Sequence, residues 1–136
     1  MTRTLTILAT LAAMSAPAFA QGDAAQGESD FKRCKSCHAI ASADETIVKG
    51  GKTGPNLYGV IGRTAGTAED YKYGADIVKA GEAGLVWDET SLAAYIEDPR
   101  AFLQDYLDDG SAKSKMTFKL KNNTADMAAY LATFSE

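Results

Sequence analysis

A C-x-x-C-H segment, Cys34-Lys35-Ser36-Cys37-His38, constrains this chain more than any other feature of the sequence. On a helical turn, residues three and four positions apart share a face, so two thiols and an imidazole project toward one object. Two thiols can bond the vinyl groups of a porphyrin while an imidazole binds its iron, and this pentapeptide is the signature of c-type haem attachment. The segment therefore predicts a covalently bound haem.

Other uses of a C-x-x-C pair fit the sequence less well. A thioredoxin-like dithiol requires a strand-helix-strand context, and no such pattern surrounds Cys34. A structural zinc ion needs about four Cys or His ligands, whereas the chain contains two Cys and one His. A plain disulfide would leave His38 without a role. A dithiol oxidoreductase without haem stays open as an alternative, and a purified protein without colour would support it.

The iron of a haem has two axial positions, and His38 fills one of them. Because the chain has no second His and both thiols are committed, the remaining candidates are Met and Tyr. Two of the four Met lie in the first twenty residues, and Met127 follows the apolar spacing of the last predicted helix, which indicates core packing. Met116 lies in the polar, aperiodic segment 111–118 and is the predicted sixth ligand.

The first twenty residues have the features of a secretory signal. Arg3 is the charged start, residues 5–13 are the apolar run, and Ala18-Phe19-Ala20 is an A-x-A cleavage site. The run is too short to span a bilayer. We expect cleavage of residues 1–20, leaving a single 116-residue domain, 21–136, in the periplasm. An uncleaved segment would instead tether the protein to a membrane.

Charge is unevenly distributed along the chain. Without Arg3 the sequence has 13 basic and 18 acidic residues, and this net charge of −5 argues against a nucleic-acid partner. Residues 113–121 carry four positive charges and no acid, whereas residues 97–109 carry a net −4. The four basic residues are Lys113, Lys115, Lys119 and Lys121. They either form a docking face for acidic partners or are simply solvated.

Apolar periodicity and the expected N-cap residues Asp23, Asp88 and Asp98 predict about five helices separated by long loops. The expected helices cover residues 23–35, 74–80 and 88–97, a segment that begins at Pro99, and residues from about 123 to 134. Residues 39–53 are expected to form a loop, and no convincing alternating strand is evident. The predicted class is therefore all-α.

Seven segments, in order, resemble class I c-type cytochromes, and the bacterial cytochrome c2 group most closely. They are C-x-x-C-H, Thr-Gly-Pro-Asn-Leu at 53–57, Gly-Arg-Thr-Ala-Gly at 62–66, Trp87, Tyr-Ile-Glu-Asp-Pro at 95–99, Lys-Met-Thr-Phe at 115–118 and Ala-Tyr-Leu at 129–131. The resemblance covers nearly the whole of residues 21–136 and implies a class I cytochrome c fold around one haem c. Residues 40–52 and 104–113 look like the insertions of larger cytochromes c2.

The resemblance also implies roles for individual residues. Cys34 and Cys37 would form the thioethers, His38 and Met116 would be the axial ligands, and Pro55 would accept a hydrogen bond from the other nitrogen of His38. The residues implied to hold the haem without binding its iron are Arg63, Tyr73 and Trp87 at the propionates, Ser114 near a propionate, and Tyr95 near the Met sulfur. The three aromatic residues would also fill the core by ordinary packing.

With both axial positions filled, the iron can change its charge by one and has no site for a substrate, so we expect electron transfer and no enzymatic activity. By resemblance, the partners are membrane redox complexes, with a quinol-oxidising cytochrome bc complex as donor. The acceptor would be a photosynthetic reaction centre or a terminal oxidase, and the protein would be a monomer. The alternative is a haem enzyme or gas sensor in which Met116 is unbound and the reduced iron binds CO.

Overall fold

The computed structural model describes residues 22–135, in which five α-helices are joined by long loops. The helices are α1 (Ala24–Asp30), α2 (Ala75–Glu82), α3 (Glu89–Glu97), α4 (Pro99–Leu107) and α5 (Thr124–Ala132). A 3₁₀ turn, Phe31–Arg33, joins α1 to the C-x-x-C-H segment. The all-α prediction is confirmed, and the predicted signal segment lies outside the described residues.

Three helices begin at the Asp residues that the sequence indicates. The carboxylates of Asp23, Asp88 and Asp98 each accept hydrogen bonds from backbone N–H groups in the first turn of α1, α3 and α4. Such N-caps satisfy donors that have no partner inside the helix. Asp88 and Ser91 also form a reciprocal capping box, with N–H to oxygen distances of 2.7 and 3.0 Å.

The structure corrects the predicted loop at residues 39–53. Two short antiparallel strands, β1 (Ile40–Ala41) and β2 (Thr46–Val48), form a hairpin there, with Ile40 opposite Val48. Strands of two and three residues are too short to show alternation in the sequence. The hairpin turn is closed by Ser42, whose backbone N–H donates to the Glu45 carbonyl at 2.8 Å.

The ends of the described chain meet where α1 packs on α5, and α3 also packs on α5. A β-carbon at Gly27 of α1 would overlap the backbone of Asp126, so the two helices approach closely only because residue 27 is Gly. Phe31 and Tyr130 extend this contact, with ring centroids 5.7 Å apart. The 3₁₀ turn that follows α1 is thereby held at a fixed place against α5.

Helix α4 buries only part of its apolar face. Leu103 is fully buried and Phe102 is partly buried, but Tyr106 is 40% exposed. Its ring stacks on Phe102, with centroids 6.0 Å apart, which shields one face of the phenol from water.

None of the helices between residues 22 and 135 combines the length and the apolar character needed to cross a bilayer.

Candidate haem site

A largely apolar cavity of about 960 Å³, part of it open to solvent, lies between the C-x-x-C-H turn and the segment around Met116. Nine of the ten predicted site residues line it: Cys34, His38, Pro55, Arg63, Tyr73, Trp87, Tyr95, Ser114 and Met116. The tenth, Cys37, lines an adjoining opening together with Cys34, His38 and Met116.

The C-x-x-C-H turn continues the hydrogen bonding of the 3₁₀ turn before it. The backbone N–H of Cys34 donates to Phe31 at 2.8 Å, and that of His38 donates to Cys34 at 2.9 Å. Burial raises the pKa of the Cys34 thiol to about 11, whereas hydrogen bonds with Thr53 and Ser36 lower the pKa of exposed Cys37. One thiol therefore lies against the cavity wall and the other at its mouth.

The His38 imidazole is held in one orientation by the carbonyl of Pro55. The distance from Nδ1 to the carbonyl oxygen is 2.7 Å, and because a carbonyl only accepts, Nδ1 carries the proton. The Nε2 lone pair is then available to a metal. Burial lowers the pKa of His38, while the Pro55 carbonyl opposes this shift, so the neutral ring that metals bind is favoured.

Backbone hydrogen bonds place residues 51–54 directly against the C-x-x-C-H turn. Gly51 N–H donates to Lys35, and Gly54 N–H donates to Cys37, both at 2.9 Å. A β-carbon at Gly54 would lie 2.7 Å from both ring nitrogens of His38. Only Gly therefore fits beneath the ring. The sequence analysis missed this role, although Gly54 directly precedes Pro55.

Met116 is half-buried and lines the same cavity as His38. The Ser114 hydroxyl donates to the Met116 carbonyl at 2.9 Å, which shapes the backbone around this residue. Met127, predicted to pack in the core, is 2% exposed and borders the cavity from α5.

Trp87, Tyr95 and Phe102 form an aromatic cluster, of which Trp87 and Tyr95 line the cavity. The Trp87 and Tyr95 centroids are 4.9 Å apart, and Phe102 meets Tyr95 edge-on at 5.7 Å. Burial raises the pKa of Tyr95, and a hydrogen bond with Ser114 only partly opposes this. The Tyr95 hydroxyl thus stays protonated and lies beside Ser114.

One end of the cavity carries a positive charge. The Arg63 guanidinium donates to the carbonyls of Asn56, at 2.9 Å, and Tyr58. Both acceptors are neutral, and no carboxylate pairs with Arg63 anywhere in residues 22–135. The nearby Tyr73 hydroxyl accepts a hydrogen bond from Ala68 N–H at 3.1 Å, and burial raises its pKa. This end suits a carboxylate-bearing group.

The residues present fit a haem. The walls are apolar, an oriented imidazole and a thioether face one cavity, two thiols lie at its edge, and a cation with a hydroxyl stands where carboxylates would be bound. Across residues 22–135, no cluster of three or more His, Cys, Asp or Glu is arranged to hold a bare metal ion. The donor set therefore suits an iron that arrives inside a porphyrin.

Comparison with known proteins agrees with this geometry. The chain is 60% identical to cytochrome c-551 from Roseobacter denitrificans, over 99% of its own length and 97% of that protein. It is 56% identical to cytochrome c2 from Rhodobacter capsulatus, over 92% and 93% of the two chains. The chain belongs to the class I c-type cytochromes, in the cytochrome c2 group. No protein-family model matches it.

Solved structures show the same fold for this cytochrome. Cytochrome c2 from Rhodobacter capsulatus superposes with a TM-score of 0.81 at 56% identity, covering 82% of this chain and 97% of that one. Ferric cytochrome c-550 from Paracoccus versutus gives 0.82 at 50% identity, covering 85% and 100%. The predicted class I cytochrome c fold is therefore confirmed.

Membership of this group establishes the cofactor and the kind of activity. The cytochrome carries one covalently attached haem c, and its function is electron transport, not enzymatic catalysis. The dithiol, zinc and haem-enzyme alternatives are thereby excluded. When bound, the haem supplies an iron that can change its charge by one. The polypeptide attaches it, orients a ligand, keeps most water out and places charge and hydrogen-bond donors around it.

Tyr71, which the sequence analysis left without a role, and Lys115, which it placed in the basic segment, also line both the cavity and the adjoining opening of this cytochrome. Tyr71 donates to the Thr53 carbonyl at 3.1 Å and meets Tyr73 edge-on, with centroids 4.7 Å apart. The Lys115 ammonium lies 5.0 Å from the centre of the Tyr71 ring and donates to the Lys72 carbonyl at 2.6 Å. The Tyr-x-Tyr spacing was the available signal for Tyr71.

Proposed function

We propose that this cytochrome passes single electrons through an iron bound by Nε2 of His38 and the sulfur of Met116. The observation that carries the proposal is that both side chains line one apolar cavity, while the Pro55 carbonyl leaves Nε2 of His38 without a proton. A His/Met pair closes both axial positions, and Met ligation raises the reduction potential relative to stronger donors.

The remaining predicted site residues would hold the haem around this pair. Cys34 and Cys37 would form the thioethers. Arg63, Tyr73 and Trp87 would hold the propionates, with the uncompensated charge of Arg63 as the main support. Tyr95 and Ser114 would act from the Met side, because both line the cavity together with Met116 and the Ser114 hydroxyl donates to the Met116 carbonyl.

Spectroscopy of the purified cytochrome tests the ligand pair. Ferric protein should show the far-red sulfur-to-iron charge-transfer band, and ferrous protein should fail to bind CO. A missing band together with ready CO binding would show that Met116 does not bind the iron.

We further propose that residues 1–20 direct export and are removed, so that residues 21–136 form a periplasmic domain. The support is the charged start, apolar run and A-x-A site of the sequence. Mass spectrometry of the N-terminus from the periplasmic fraction tests it, since a chain beginning at Met1 would contradict cleavage.

The partners we propose are membrane redox complexes, with a cytochrome bc complex as donor and a reaction centre or terminal oxidase as acceptor. The similarity to cytochrome c2 supports this assignment. Reduction of photo-oxidised reaction centres, measured beside reduction of a terminal oxidase, would identify the acceptor by the faster rate.

Docking would use the basic loop, residues 113–121, whose four Lys side chains are all exposed. Two of them already have partners within the chain: Lys115 binds the Lys72 carbonyl, and Lys119 lies 2.7 Å from the Asp98 carboxylate. Lys113 and Lys121 form no ion pair within residues 22–135. The carbonyl that binds Lys115 is neutral, so among the four only Lys119 has its charge compensated by a carboxylate. We therefore expect Lys119 to contribute least to the attraction toward acidic partners.

A further inference from the structure

The segment around Met116 is held by few backbone hydrogen bonds. On one side of it, Ala112 N–H donates to Asp109 at 3.0 Å, and on the other, Leu120 N–H donates to Ile96 at 2.8 Å. Between them, the backbone N–H and carbonyl groups of residues 113–119 form no hydrogen bond to any other backbone group of residues 22–135. The position of Met116 must therefore depend on contacts that side chains make.

Asp76, the second residue of α2, makes such a contact. Its Oδ2 accepts a hydrogen bond from the backbone N–H of Lys113 at 2.8 Å, across 37 residues of sequence. Its Oδ1 accepts from Lys79 Nζ at 3.0 Å. The Asp76 side chain is 15% exposed, while that of Lys79 is 59% exposed.

The charges around Asp76 support an ionised carboxylate. The Lys113 N–H and the Lys79 ammonium together lower the pKa of Asp76. Asp109 lies close enough to Lys79 and Asp76 to add a weak opposing negative charge. Hydrogen bonds to an ionised acceptor are about twice as strong as neutral ones, so this contact can fix the start of the segment.

We propose that Asp76 is a positioning residue that keeps Met116 within reach of the iron by fixing the backbone of Lys113. The inference rests on the proposed Met116 ligation. Fixing residue 113 shortens the flexible segment, which reduces the number of conformations in which Met116 points away from the cavity. The hydrogen bond from Lys115 to the Lys72 carbonyl holds the segment at a second point two residues further on.

Three variants of the haem-loaded cytochrome test this role. Asp76→Ala removes the acceptor for Lys113 N–H. Lys79→Gln removes the other partner of Asp76 and leaves the Lys113 contact intact. Asp105→Asn makes the same charge change as Asp76→Ala at an exposed position of α4. The readouts are the rate of imidazole binding to ferric protein, the far-red sulfur-to-iron band, and amide hydrogen exchange at residues 113–117.

We expect Asp76→Ala to bind imidazole about tenfold faster, the factor that corresponds to loss of one hydrogen bond to a charged group. Amide exchange at Lys113 should rise in parallel. Lys79→Gln and Asp105→Asn should stay within about twofold of the wild type, since both keep the hydrogen bond to Lys113. Asp76→Asn, which keeps an acceptor oxygen, should change less than Asp76→Ala and serves if the Ala variant does not fold.

The outcomes separate the two proposals. If the wild type lacks the sulfur-to-iron band, Met116 ligation is wrong and the inference falls with it. If the wild type has the band and Asp76→Ala binds imidazole at the wild-type rate, only the role of Asp76 is overturned. An equal acceleration in Lys79→Gln would also overturn it, because the effect would then come from the ion pair.

Discussion

Gly54 lies so close beneath the imidazole of His38 that a β-carbon on residue 54 would stand 2.7 Å from both ring nitrogens. The neighbouring backbone cannot move away easily, because Gly54 N–H is bonded to Cys37 and the next carbonyl, of Pro55, is bonded to Nδ1. A larger residue would therefore displace the ring or break one of these hydrogen bonds.

We predict that Gly54→Ala lowers the yield of haem-loaded protein and destabilises what forms by about 1–3 kcal/mol, as overpacking of a filled site does. The measurements are haem content per polypeptide and denaturant unfolding. Gly110→Ala is the matched control, since a β-carbon there would meet no atom within 4 Å. Equal behaviour of the two variants would show that the ring can shift without loss.

We predict that Met116→Ala leaves the haem attached, lowers the reduction potential and lets CO or imidazole bind the iron. The change in potential should be on the order of 0.1 V or more, because axial ligands are a main determinant of haem potential. Spectroelectrochemical titration and ligand binding provide the measurements. Met127→Leu is the control, since Met127 is 2% exposed and packs in the core. An unchanged potential in Met116→Ala would show that another group is the ligand.

The sequence predicted the parts of the site that local chemistry determines. The Asp N-caps, the C-x-x-C-H turn and the hydrogen bond from His38 to Pro55 all involve signals readable from short motifs or from the family resemblance. The predicted Met116 and His38 line one cavity. These features depend on residue type and spacing, and both can be observed in a single sequence.

Other features depend on which distant segments meet, and the sequence carries no local sign of them. The fit of Gly54 under His38 and the hydrogen bond from Lys113 to Asp76 exist only after the chain folds. The partners of Lys115 and Lys119 also lie far away in the sequence and meet them only in the folded protein. Four Lys that look equivalent in the sequence are therefore not equivalent in the structure. The strands of the hairpin at residues 40–48 are too short to show a period.

We predict that the ion pair between Asp98 and Lys119 contributes stability at neutral pH that is lost in acid. Hydrogen bonds from Lys119 and from Ala101 N–H lower the pKa of Asp98 below its ordinary value of 3.8. A carboxylate with a lowered pKa stabilises the fold above its ordinary value, and this contribution disappears as the pH falls through the lower folded value. Wild-type stability should therefore decline below about pH 3.8 through Asp98 and similar residues.

Asp98→Asn isolates the ion pair, since Asn caps helices about as well as Asp. Urea unfolding should find it less stable than the wild type at pH 7, with a difference that shrinks toward zero as the pH falls below 3.8. Glu97→Gln removes one charge from the adjacent exposed residue, which forms no ion pair in the described range, and should leave stability nearly unchanged. A difference for Asp98→Asn that does not vary with pH would exclude the ion pair as its source.

We predict that electron transfer from this cytochrome to a membrane redox complex slows as salt is added, because screening weakens the attraction of the basic loop to an acidic partner. Lys113→Gln and Lys121→Gln should each lower the bimolecular rate constant at low salt by about two- to threefold, since electrostatic steering acts mainly on association. Lys119→Gln should have a smaller effect, because the Asp98 carboxylate at 2.7 Å already compensates its charge. Stopped-flow or flash kinetics over a range of ionic strength provides the measurement, and a wild-type rate that does not change with salt would rule out docking through this loop.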